Sequence, residues 1–107
     1  MNNLAKITLS ATLLLSMSSV TASADVKKGQ MLYLKKLKNV CDMNGAQMAE
    51  KHTMGEWESI YTKGKLGEEI KSFCPNVKDK SIQEKYMQHY FDFFKEYGSD
   101  SGNIPAC

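Results

Sequence analysis

Ser81-Ile82-Gln83-Glu84-Lys85-Tyr86-Met87-Gln88-His89-Tyr90-Phe91-Asp92-Phe93-Phe94-Lys95-Glu96-Tyr97-Gly98 is the stretch whose pattern decides the fold. Tyr86, Tyr90, Phe93, Phe94 and Tyr97 recur every three or four residues, the repeat of one helix face, and Met87 and Phe91 widen it. Ser81-Ile82-Gln83-Glu84 reads as a capping box, a hydroxyl at one end and a carboxylate three residues on. The pattern therefore predicts a helix over Ile82–Tyr97, ended by Gly98. An aromatic stripe of this kind could stack nucleic-acid bases, but helical spacing assigns it to a core.

Working back from there, the same grammar repeats. Thr53-Met54-Gly55-Glu56 is a second capping box and opens a helix over Met54–Lys63, with Trp57, Ile60 and Tyr61 inward and Gly64 as its stop. Lys65–Phe73 is predicted helical, with Leu66, Ile70 and Phe73 on one face. Pro75 holds Cys74 away from helical geometry and so ends it. The first predicted helix covers Val26–Asp42: Val26, Tyr33, Leu37, Val40 and Cys41 share a face, and Lys27, Lys28, Lys35 and Lys38 lie mostly opposite. Asn44-Gly45 breaks that helix, and a short turn over Ala46–His52 follows. Ser99–Cys107 reads as an irregular tail. No period-2 run of strand length interrupts these signals, so the expectation is one all-α domain over residues 25–107.

Residues 1–24 read as a secretory signal peptide. Lys6 gives the basic start, Ile7–Val20 the apolar centre around Leu13-Leu14-Leu15, and Ala22-Ser23-Ala24 the small-residue cleavage site. The apolar run is too short, and too interrupted by Ser and Thr, to span about 30 Å of hydrocarbon. The expected mature chain begins at Asp25 in the bacterial periplasm, with no stable membrane insertion after cleavage.

Charge limits the partners. Fourteen basic residues stand against twelve acidic ones, and all fourteen are Lys. A dense one-signed patch for nucleic acid is missing, and without Arg there is no bidentate clamp for phosphate or carboxylate. No Gly-rich phosphate loop, His-Glu-x-x-His or nucleophile elbow occurs, and the neighbours Glu68 and Glu69 diverge by about 100° around a helix. No enzymatic activity is expected, and the partner is an unidentified periplasmic redox or binding protein.

A domain of this size benefits from a staple, and an exported chain can carry a disulfide. The three cysteines, Cys41, Cys74 and Cys107, allow one bond and leave one thiol. Cys74–Cys107 is the expected pair, because both lie at chain positions free to move to bonding distance. It would stabilise the fold by about 3–4 kcal/mol. Cys41–Cys74 and Cys41–Cys107 are the competing pairs. Cys41, on the apolar side of the first helix, serves either as a small buried hydrophobe or as a haem thioether, a partner disulfide or a redox thiol.

Asp25-Val26-Lys27-Lys28-Gly29-Gln30-Met31-Leu32-Tyr33, with Cys41 eight residues after Tyr33, resembles the N-terminal helix of class I cytochromes c. The aromatic helix Tyr86–Tyr97 resembles the C-terminal helix that packs across it in that family. His52-Thr53-Met54-Gly55-Glu56-Trp57 and Cys74-Pro75 are similar to stretches in small secreted bacterial proteins labelled cytochrome-c-like. The resemblance implies a small cytochrome-c-like helical fold. It departs from the family at haem attachment: Cys41-Asp42-Met43-Asn44-Gly45 stands where Cys-x-x-Cys-His is required, so two thioethers cannot form. What the resemblance leaves for haem is a single thioether at Cys41, or noncovalent haem with His52 as an iron ligand and Met43, Met48 or Met54 as an axial thioether. His52 reads equally as a solvated histidine at a helix end, His89 as a residue on the polar side of the last helix, and the methionines as core filling. Two functions follow: a periplasmic electron carrier with non-standard haem binding, or a haem-free binding or accessory protein on the same fold.

Overall fold

The computed structural model describes residues 25–105. Residues 1–24, read above as the signal peptide, and Cys107 lie outside the described residues. The described chain is all helical, with no strand among those residues. Helix α1 covers 25–36, α2 Lys38–Cys41, α3 Gly45–Ala49, α4 Met54–Thr62, α5 Leu66–Phe73 and α6 Glu84–Glu96, with a 3-10 turn at Asp79–Ile82 before α6.

Helix α6 is the element around which the rest is built: α3, α4, α5 and the 3-10 turn all pack on it. Its Tyr90, Phe93 and Phe94 are fully buried together with Tyr33, Leu37, Met48, Trp57 and Ile70. Phe94 lies at the centre, its ring 4.7 Å from Trp57, 5.7 Å from Phe93, 6.1 Å from Tyr33 and 6.2 Å from Tyr90. Buried aromatics with polar tips need partners for them. Trp57 Nε1 donates to the Ala49 carbonyl at 2.8 Å, Tyr33 Oη to the Met43 carbonyl at 2.8 Å, and Tyr90 Oη to the Ser81 carbonyl at 2.8 Å. Burial, with a smaller effect of Tyr86, holds the Tyr90 phenol above its ordinary pKa.

The crossing of α1 over α6 depends on a missing side chain. A Cβ at Gly29 would sit 2.0 Å from the His89 carbonyl oxygen and 2.8 Å from Phe93 Cβ, so the helices approach with glycine at the contact. Gly45 plays a similar part against the Phe93 ring, where a Cβ would come within 2.5 Å of Cζ.

Three local boundaries differ from the sequence expectation. The first helix is interrupted at Leu37 and ends at Asp42, which adopts φ +55° and supplies the left-handed stop. Asn44 then begins a helix: its side chain accepts from Gln47 N at 2.8 Å while Gln47 Oε1 accepts from Asn44 N at 2.9 Å. Finally, Ser81 does not cap α6. It belongs to the 3-10 turn, and α6 begins three residues later at Glu84. The capping box at Thr53 and Glu56 forms as expected, and Gly64 follows α4 with φ +72°.

The tail is irregular but fastened. Gly98 lies against the start of α4, where a Cβ would be 2.9 Å from Met54 N. Ser99 N donates to the His52 carbonyl at 3.0 Å, and the Asp100 carboxylate accepts from Met54 N at 2.8 Å. A carboxylate at a helix N-terminus meets unpaired N–H groups and a favourable dipole.

Candidate functional site

The residues expected to hold haem are placed by α2, the turn after α3, and α5. Cys41 ends α2 and is 8% exposed; Cys74 caps α5 and is 1% exposed. Their sulfurs form a disulfide with Cα atoms 4.8 Å apart, inside the range such bonds adopt. This corrects the expected Cys74–Cys107 pairing. That expectation took Cys74 for a mobile end, but it is a locked turn. Its N–H donates to the Ile70 carbonyl at 2.9 Å and its carbonyl accepts from Val77 N at 3.0 Å. Held there, Cys74 faces the buried side of α2, which carries Cys41. Cys41 is thus neither a thiol nor a thioether.

His52 occupies the turn before α4. Its Nε2 lies 2.6 Å from Glu69 Oε2 on α5, and its Nδ1 lies 3.5 Å from Glu56 Oε1. The ring stands edge-on to Trp57 at 4.8 Å and is 5.8 Å from Phe73. Rather than a solvated helix-end histidine, it is a half-buried cross-link between the start of α4 and α5. When the ring carries both protons, each N–H has a carboxylate to meet. Glu56 is held below the usual carboxylate range chiefly by the hydrogen bond from the Thr53 backbone N–H, with smaller help from the Thr53 hydroxyl and His52. Lys51 Nζ sits 5.6 Å above the Phe73 ring.

The residues present do not fit a covalently held haem. The one sulfur in the expected position is bonded to Cys74. The imidazole expected to ligate iron is turned to Glu69 and Glu56. Met48, one of the axial candidates, is fully buried among the core side chains. Among the described residues, no group of three or more His, Cys, Asp and Glu is arranged to hold a metal ion.

Two of the surface depressions among the described residues border this core. One, of about 200 Å³, lies between the end of α4, the start of α5 and the start of α6. Leu66, Ile82 and Met87 contribute apolar surface to it, and Glu68 and Glu84 contribute carboxylates. The other, of about 320 Å³, is polar and runs beside Lys38, Asp42, Asn44 and Gln47. The first is smaller than a typical pocket for an organic ligand, about 300–1,000 Å³, and has the dimensions of a single side chain's seat.

Glu69 was missed as a site residue because it was weighed only as the neighbour of Glu68. The signal was present: Glu69 lies three residues after Leu66 and one before Ile70, on the edge of the buried face of α5. No protein-family model matches the chain, and the comparisons with curated proteins and with solved structures found no match.

Proposed function

We propose that the protein is a haem-free binding or accessory protein of the periplasm, built on a cytochrome-c-like helical frame. The observation that carries the reading is the Cys41–Cys74 disulfide, which consumes the sulfur a haem thioether would need. A fixed structural disulfide also suits the oxidising periplasm implied by reading residues 1–24 as an export signal. Among the described residues, no helix is long and apolar enough to cross a membrane.

The frame is supported by the crossing of α1 and α6. Gly29 touches the His89 carbonyl, and Tyr33, one turn later, meets the rings of Phe93 and Phe94 at 6.0 and 6.1 Å. A glycine and then an aromatic at the crossing of the first and last helices is the arrangement the resemblance to cytochromes c implies. On this reading the frame is retained while the attachment site has become a cross-link. The depression beside Leu66, Ile82 and Met87, edged by Glu68 and Glu84, offers a seat for a partner side chain with an apolar stem and a cationic head.

The test is optical. The full chain is coexpressed with a cytochrome c maturation system and purified from the periplasm. A visible region without a Soret band is the expected result. A Soret band, whether or not it survives denaturation, would overturn the reading in favour of an electron carrier.

A further inference from the structure

Lys27, Lys28, Lys35, Lys36 and Lys38 are the charged residues of 26–41, and no carboxylate stands among them, whereas α4, α5 and α6 each carry carboxylates. Lys28, Met31, Lys35 and Lys38 follow one another at spacings of three, four and three, the repeat of one helix face, and all are exposed. Leu37 keeps the register across the joint of α1 and α2. Its N–H donates to the Tyr33 carbonyl and its carbonyl accepts from Cys41 N, each at 2.9 Å. The opposite face is spent on the core through Tyr33 and Leu37. Among the described residues, Lys27, Lys28, Lys35 and Lys38 are in no ion pair, while Lys65, Lys71 and Lys95 hold Glu68, Asp79 and Glu58. Met31, between the lysines, is 52% exposed. On the flank, Lys36 Nζ lies 4.9 Å and Lys85 Nζ 5.2 Å from the centre of the Tyr86 ring, so a lysine of α6 joins the edge of the patch.

The make-up of this face chooses its partner. Protein partners are held mainly by Trp, Tyr and Arg seated in pockets, and the stripe offers only ammoniums around one thioether. A lysine ammonium is a point charge without the fork that picks out one carboxylate. Such groups match a surface whose negative charge is spread and mobile. Lysine and methionine stems can settle among lipid headgroups while the ammoniums stay in water beside the phosphates. We infer that the outer face of α1 and α2 adsorbs the protein to an anionic phospholipid surface. The helices lie along that surface and do not cross it: among the described residues, no helix is long and apolar enough to do so. Each lysine near such a surface strengthens binding about fivefold, and clusters of four or more suffice for adsorption. The inference goes beyond the haem question and does not rest on its answer.

The experiment is sedimentation of the protein, produced from the full chain in a bacterial host, with vesicles of equimolar phosphatidylglycerol and phosphatidylcholine. The protein should sediment with these vesicles and not with phosphatidylcholine alone, and should be released as sodium chloride rises from about 0.02 M to about 0.5 M. Lys35→Gln/Lys38→Gln should lower the partition coefficient about 20–30-fold. Both side chains are exposed and unpaired, so the fold is left intact. Lys63→Gln/Lys78→Gln removes the same charge from exposed positions on other elements and should lower the coefficient less than about threefold. Equal losses in the two double variants overturn the inference, because net charge and not this face would then bind. So does a protein that stays in solution with phosphatidylglycerol vesicles. If that protein instead binds poly-glutamate through Lys35 and Lys38, the face belongs to an acidic protein and the lipid assignment falls. None of these outcomes moves the Soret band, so the failure of this inference is distinct from the failure of the haem-free reading.

Discussion

Cys41 at the end of α2 is bonded to Cys74 at the end of α5, closing a sequence separation of 33 residues with 4.8 Å between Cα atoms. The bond fixes the first helical segment to the turn that follows α5, and α4 lies within the loop it closes. Loop-closure entropy assigns such a bond about 3–4 kcal/mol. The double variant Cys41→Ala/Cys74→Ala should lose stability of that order in urea unfolding followed by the fluorescence of Trp57, the single tryptophan. Cys107→Ala should stay within about 0.5 kcal/mol of the natural chain. A large loss in Cys107→Ala would contradict the pairing.

Phe94 is fully buried and surrounded by four aromatic rings. Phe94→Ala should cost about 3–5 kcal/mol, because it removes transfer free energy and leaves a cavity that rigid neighbours cannot close. A cost below about 1 kcal/mol would show that the rings around it are not packed as described.

Gly29 and Gly55 make a matched pair. A Cβ at Gly29 collides with the His89 carbonyl, whereas one at Gly55, inside α4, meets nothing within 4 Å. Gly29→Ala must push α1 off α6 and should destabilise by about 1–3 kcal/mol, as overpacked cores do. Gly55→Ala should stabilise by about 0.5–1 kcal/mol through the lower entropy of the unfolded chain. Thermal unfolding of both variants checks the two signs at once.

How far the sequence could be read depended on whether a signal was local. The faces of α4 and α6 were legible because Trp57, Tyr90, Phe93 and Phe94 repeat with the helix, and the start of α4 because Thr53 and Glu56 cap each other within four residues. The start of α6 was misplaced for a tertiary reason. The Ser81 carbonyl accepts the Tyr90 hydroxyl, which holds Ser81 in the 3-10 turn instead of at a cap. The disulfide was equally out of reach, since the approach of α2 to α5 is a long-range contact that no spacing encodes. His52 was legible as a site residue only by type. Its partner Glu69 lies 17 residues away on another helix. The fastening of Asp100 to Met54 spans 46 residues and left no local trace.

The capping box at Thr53 and Glu56 gives a pH dependence of known sign. Glu56 has a folded pKa below its ordinary value, mainly because the Thr53 backbone N–H donates to the ionised form. Its contribution is therefore present above the ordinary carboxylate pKa and is lost as pH falls through the lower folded value. Glu56→Gln keeps an acceptor for that N–H but removes the titration. Its acid-unfolding curve should be shallower than that of the natural chain as pH falls below the ordinary Glu pKa of about 4.3. Identical slopes would mean the carboxylate does not hold the cap.

The central claim is that Cys41 is bonded to Cys74 and not to a cofactor. Thiol-blocked, non-reducing peptide mapping of the protein purified from the periplasm tests it most directly. The account predicts a Cys41 peptide joined to a Cys74 peptide, with the blocking label on Cys107. A Cys41 peptide that carries the blocking label, the mass of a haem, or a link to Cys107 would contradict it.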